Sequence, residues 1–203
     1  MTKTMTCAVT LLTLALTSSL SAQVGKSQGV VDANTAAESD LATFPNMTPA
    51  IAKALAAKRP FASPKDLNAF LLSQGLTAEQ AMAFYAKAFV HINLNTATSE
   101  EILLVPGAGR RMTREFAEYR PWKTWAQFDR EIGKYVGPDA TAKLAQYTFI
   151  PMNANTASDA DLMTVPGATQ AWVETVKKGR PFKTAADLEK AAGKTQARFF
   201  VVE

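Results

Sequence analysis

The sequence predicts an all-α protein built from three tandem units of about 60 residues, each made of short helices paired across tight turns. Three markers held in constant register predict this. Asn34-Thr35-Ala36, Asn95-Thr96-Ala97 and Asn155-Thr156-Ala157 recur at offsets of 61 and 60 residues. Pro45, Pro106 and Pro166 keep the same offsets. So do Arg59-Pro60, Arg120-Pro121 and Arg180-Pro181, each followed by an aromatic residue: Phe61, Trp122 and Phe182. Between the markers, apolar residues fall at helical spacing, and extended chain is expected only at short joints such as 91–92 and 149–150. The units are 31–91, 92–151 and 152–203.

The middle unit sets the pattern. Thr98-Ser99-Glu100-Glu101 is a capping box that starts a helix over 99–104. Ile102, Leu103 and Val105 give it an apolar side. The turn Pro106-Gly107-Ala108-Gly109 ends it, because glycine enters left-handed geometry at little steric cost. A second helix is expected over 110–119, with Met112, Phe116 and Tyr119 on one face. Pro121 stops it, since a residue before proline is pushed out of helical geometry. Thr124 caps a third helix bearing Trp125, Phe128 and Ile132. Residues 133–137 make a second turn, and Pro138 and Asp139 open a fourth helix running to 147.

The outer units depart from this plan. In the first, Phe44-Pro45-Asn46-Met47-Thr48 replaces the glycine turn; Asn46 tolerates left-handed geometry, and Thr48-Pro49 suits a helix start. Its second turn is Gln74-Gly75-Leu76-Thr77. The third unit has Val165-Pro166-Gly167-Ala168-Thr169, with one glycine of the two. Its second half is shortened, so a rudimentary last helix and a packed tail at 199–202 are expected.

Residues 1–22 read as a secretory signal peptide: Lys3, an apolar run over 7–16, then small residues up to Ala22. Residues 23–30 form a flexible lead-in. No stable membrane span is expected after cleavage, which places the protein in the periplasm or outside the cell. Cys7 is the only cysteine of the 203 residues. The mature chain therefore has no disulfide and no thiolate ligand. His91 is the only histidine. No metal or cofactor site is expected, and enzymatic readings are poor for want of a nucleophile, a ligand set or a pocket. Without Lys3, 21 basic and 18 acidic residues leave a net charge of +3. The units carry net charges of 0, +1 and +1 in chain order. This permits nucleic-acid binding with few phosphate contacts.

Residues 92–109 resemble the start of a helix-hairpin-helix domain of the ComEA type. Tyr119-Arg-Pro-Trp-Lys-Thr-Trp and Ile132-Gly-Lys-Tyr-Val-Gly resemble its middle and second hairpin. The outer units are similar in Asn-Thr, Pro and Arg-Pro-aromatic. The resemblance implies small SAM-like helical domains, export, and sequence-independent binding of double-stranded DNA during uptake. It implies that hairpin backbone amides hold phosphate oxygens. The positions here are Gly107, Ala108, Gly109 and Arg110, with Arg111 and Arg114 beside them. Val136 to Pro138 would form the second half, though Pro138 has no N–H. A similar fold in the extrinsic photosystem II subunit PsbU uses its hairpins for packing. A periplasmic scaffold protein that binds protein instead of DNA is thus the alternative.

The residues themselves leave choices open. Gly107 and Gly109 either admit a phosphate or merely let two helices pack, with packing favoured for the outer units. Arginines at a helix N-terminus oppose the dipole, which a nearby anion would explain. Otherwise they are solvated charges with Glu115 and Glu118 as partners of Arg111 and Arg114. Arg59, Arg120 and Arg180 are expected to cap carbonyls at the end of the preceding helix. The aromatic residues that follow them, Trp125 and Trp172 are expected in the core.

Overall fold

A computed structural model describes residues 29–203. The expected signal peptide and residues 23–28 of the lead-in lie outside the described residues. The fold is all-α, with strands of two residues only. Segment 31–91 holds β1 (Val31–Asp32), α1 (Glu38–Leu41), α2 (Pro49–Lys58), α3 (Pro64–Ser73), α4 (Ala78–Tyr85) and β2 (Ala88–Phe89). Segment 92–151 holds β3 (Ile92–Asn93), α5 (Ser99–Leu103), α6 (Arg110–Glu118), α7 (Trp125–Ala145) and β4 (Thr148–Phe149). Segment 152–203 holds β5 (Met152–Asn153), α8 (Asp159–Leu162), α9 (Gln170–Lys178), α10 (Ala185–Ala192), α11 (Lys194–Ala197) and β6 (Phe200–Val201).

In each segment the first strand pairs in parallel with the last: β1 with β2, β3 with β4, β5 with β6. The joints expected to be merely extended are therefore staples that bring the ends of each segment together. Val30 is 3% exposed and sits in the core, so the lead-in ends earlier than residue 30.

An asparagine clamp fixes the interior of each segment. Asn95 Oδ1 accepts from the Trp122 N–H at 2.6 Å, and Asn95 Nδ2 donates to the Trp122 carbonyl at 3.0 Å. Asn34 holds Phe61 in the same way, at 2.8 and 3.0 Å, and Asn155 holds Phe182, at 2.7 and 3.0 Å. The clamped ring enters the core: Phe61, Trp122 and Phe182 are buried. A primary amide suits this task because it offers a donor and an acceptor side by side.

Arg120 and Arg180, each before a proline, do structural work, but not at the expected carbonyls. Arg120 Nε donates to Leu94 O at 2.8 Å and its Nη2 to Ala97 O at 2.6 Å; Arg180 Nη2 donates to Ala157 O at 2.8 Å. These acceptors lie before α5 and α8, not at the end of the preceding helix. The guanidinium thus ties the Arg-Pro corner to the start of its own segment.

The helix ends follow local chemistry. Thr98 and Glu101 form the expected capping box, and Thr124 accepts from Gln127 N. Asn46 takes φ +63° in the first hairpin. The second turn of the middle segment is tighter than expected. Residues 133–136 stay helical, and α7 is broken only at Gly137 (φ +76°). Leu103, expected on an apolar face, is 44% exposed. The last helix of segment 152–203 is only four residues long. Trp125 and Trp172 are half-buried, not fully in the core.

Segments 31–91 and 92–151 share one hydrophobic core. Phe89 meets Tyr147 edge to face at 5.3 Å across their boundary. A second core lies in 152–203 and includes Phe149, which contacts Phe199 at 4.6 Å. The third segment also folds back on the first. A Cβ built on Gly167 would lie 3.1 Å from Thr35 Cγ2, and Arg198 donates to the carbonyl of His91.

Asn95→Ala orphans the buried Trp122 N–H and is expected to cost about 2 kcal/mol. Lys123→Ala, at an exposed position beside it, is expected to cost less than about 0.5 kcal/mol. Urea midpoints of the two variants check this.

Candidate functional site

The site predicted from sequence is the turn between α5 and α6. Ala108 N donates to Val105 O at 2.9 Å and closes it. Gly107 takes φ +84°, which favours glycine. Gly109 is different. It is the N-cap of α6 with extended φ −86° and ψ 179°, geometry that any residue adopts. A Cβ added at Gly107 or Gly109 would meet nothing within 4 Å. Packing between helices therefore does not require glycine at 109.

The cap position separates the three hairpins. Thr48 stands at the position equivalent to Gly109 in the first segment and accepts from Ile51 N. Thr169 stands there in the third and accepts from Trp172 N. Each hydroxyl satisfies a helix N-terminal donor. The α6 N-terminus has no side-chain cap and no acidic residue in its first turn. Met112 N turns back to Gly109 O at 2.9 Å. Among the described residues, no acceptor takes the N–H groups of Gly109, Arg110 or Arg111. These groups sit at the positive end of the helix, on exposed residues.

The predicted residues divide accordingly. Gly107 shapes the turn, and Gly109, Arg110 and Arg111 present free amides. Ala108 is corrected: its N–H is spent on Val105 O, and it is 8% exposed. The arginines also part company. Arg114 Nη2 lies 3.0 Å and Arg111 Nε 3.7 Å from Glu115 Oε1. The Arg111 guanidinium stacks over Tyr135 at 4.3 Å, and Tyr135 bonds Tyr119 OH at 2.8 Å. Arg114 pairs with its neighbour Glu115 and not, as expected, with Glu118. Desolvation pushes the Glu115 carboxyl up, but bonds from Arg114 and Tyr135 and the two arginine charges outweigh it and hold it below the ordinary range. Arg110 is exposed and has no ion pair among the described residues.

The second hairpin offers less. Gly137 also faces open space, but Pro138 follows it without an N–H. In the third segment, Thr35 covers Gly167.

Sequence reasoning missed the setting of His91. It is buried, with Nδ1 3.1 Å from Asp32 Oδ2. Asp32 also accepts from Asn34 N at 2.8 Å. Burial raises the Asp32 carboxyl's proton affinity. The bond and charge of His91, the charge of Arg198 and the Asn34 amide reverse this and keep it below the usual carboxylate range. Among the described residues, no group of three His, Cys, Asp or Glu side chains could hold a metal ion. No helix there is long and apolar enough to cross a membrane.

No protein-family model and no solved structure matches the chain. It is similar to the endonuclease/exonuclease/phosphatase family domain-containing protein 1 of Xenopus laevis, at 29% identity over 49% of this chain. The match spans 24% of that relative's length.

A carboxylate held low in the fold lends stability above its unfolded pKa, about 3.9 for Asp. That stability is lost as pH falls through the folded value. The urea midpoint of the wild type is expected to fall below pH ~4. In Asp32→Asn it should start lower at neutral pH and decline less on acidification.

Proposed function

We propose that this chain is an exported, sequence-independent DNA-binding protein that holds the phosphate backbone at the hairpin of residues 105–111. Gly109 supports this most directly. Neither its backbone angles nor its neighbours call for glycine, whereas a phosphate approaching the free amides of 109–111 would exclude a side chain. A helix N-terminus is a favourable place for an anion, and Arg110 adds an exposed charge. Arg111 and Arg114 add field at longer range from their pairs with Glu115. The Thr48 and Thr169 hydroxyls already fill the equivalent place in the outer hairpins, so those hairpins serve packing.

Binding is weak and salt-sensitive, because the charge is modest and one hairpin makes most contacts. The frog relative's name joins nucleases and phosphatases, which act at phosphate groups. We assign this chain binding without catalysis, because its one histidine is sealed against Asp32. The signal-like residues 1–22 support a periplasmic or secreted location.

The alternative is a periplasmic scaffold that binds a protein partner. Leu103 and Val136, exposed apolar residues of the hairpin segment, favour it.

Gly109→Thr separates the readings. It installs the cap found at Thr48 and Thr169, so the urea midpoint should hold or rise. Affinity for random duplex DNA at low salt should fall about 10-fold, as read by fluorescence anisotropy. Arg110→Glu should have a similar effect. The wild-type log–log salt slope should be about −2, as for two to three phosphates. Under the scaffold reading both variants keep full function, and Leu103→Lys abolishes partner capture.

A further inference from the structure

A second feature lies where the third segment folds back on the first. A cavity of about 670 Å³ opens between them. Pro60 and Phe61 form one wall, and Leu188, Ala197 and Phe200 form the other. Its volume falls within the roughly 300–1,000 Å³ of small-molecule sites. The charges around it are unbalanced: Lys183, Lys194 and Arg198 against Glu189.

Arg198 distinguishes this cleft from an ordinary surface groove. One of its terminal nitrogens donates to the His91 carbonyl, but Nη1 is buried without a partner among the described residues. Arg59, whose chain neighbour Pro60 lines the cavity, has Nε and Nη2 buried and unpartnered as well. Asp32 is the carboxylate that acts on both guanidiniums, with Glu38 adding to the field at Arg59 and Glu101 to that at Arg198. Asp32 is already bonded to His91 and Asn34. Buried guanidinium groups are normally paired, and each brings five donors. This corner of the molecule holds more donors than acceptors.

We infer that the cavity binds a small organic carboxylate, its charged head on the Arg198 guanidinium and its apolar body between Phe61, Leu188 and Phe200. An orphaned buried donor is unfavourable in the empty protein, so a carboxylate that reaches Nη1 through a shift of the Arg198 side chain adds to the apolar contacts. The guanidinium fork matches the two oxygens of a carboxylate. The walls are wide enough for a ring or a branched chain. The site shares no residue with the 105–111 hairpin and stands independently of DNA binding.

Calorimetric titration of the full chain with 2-naphthoate and 2-naphthamide separates head from body. Naphthoate is expected to bind one per chain, at least about 10-fold tighter than the amide. Ala185→Trp, at the exposed edge of the cavity, should weaken naphthoate by at least about 10-fold with helical circular dichroism unchanged. Arg198→Gln should reduce naphthoate to the level of the amide; if that variant unfolds, the amide comparison and Ala185→Trp still decide. Equal binding of acid and amide overturns the inference, leaving an apolar cleft without an anion site. So does naphthoate binding that survives Ala185→Trp, or no saturable binding up to about 10 mM.

Discussion

The fold depends on a bond pattern that recurs three times: one asparagine side chain holding both backbone polar groups of an aromatic residue 27 positions later. Short helices do not hold themselves together in water, because nucleation is costly and each buries little surface. The chain must therefore fix its corners. Asparagine satisfies the backbone at the Arg-Pro corner, the ring that follows fills the core, and Arg120 or Arg180 ties the corner to the segment's start. The parallel two-residue strands then close each segment. Every helix is held between these fixed points.

That frame gives the hairpin its freedom. Val105 and Ala108 pack the turn between α5 and α6 into the core, but nothing crowds Gly109, which can stay bare. The same position carries threonine in the other two hairpins, where the hydroxyl completes the helix end from within. The Thr48 and Thr169 hydroxyls accept from the third residue of their helices, whereas at α6 the equivalent Met112 N–H turns to Gly109 O and the glycine leaves the helix end without a side chain across it. The Arg111–Glu115–Tyr135 cluster braces the following helix against α7.

Much of this was legible in the sequence. The repeat offsets of Asn-Thr, Pro and Arg-Pro-aromatic mark the positions that carry the clamp, because bonds between fixed partners need fixed spacing. Capping at Thr98 and Thr124 was legible because it is local. What the clamp does was not, since Asn95 and Trp122 lie far apart along the chain and nothing in either residue names the other. The break at Gly137 was placed too broadly because Gly133 reads as a turn residue, yet packing keeps it helical. The roles of Arg111 and Arg114 depended on which rotamers reach Glu115, and Ala108 on where one amide points. The cavity and the Asp32–His91–Arg198 contact arise from the third segment returning to the first, which no local pattern encodes.

The central claim is that the amides of 109–111 are left free for a phosphate from outside the protein. Backbone amide NMR shifts during titration with random duplex DNA at low salt test it most directly. The account predicts the largest changes at Gly109, Arg110 and Arg111, with the capped helix after Thr169 unmoved. Shifts confined to the surroundings of Leu103 and Val136, or none at all, would contradict it.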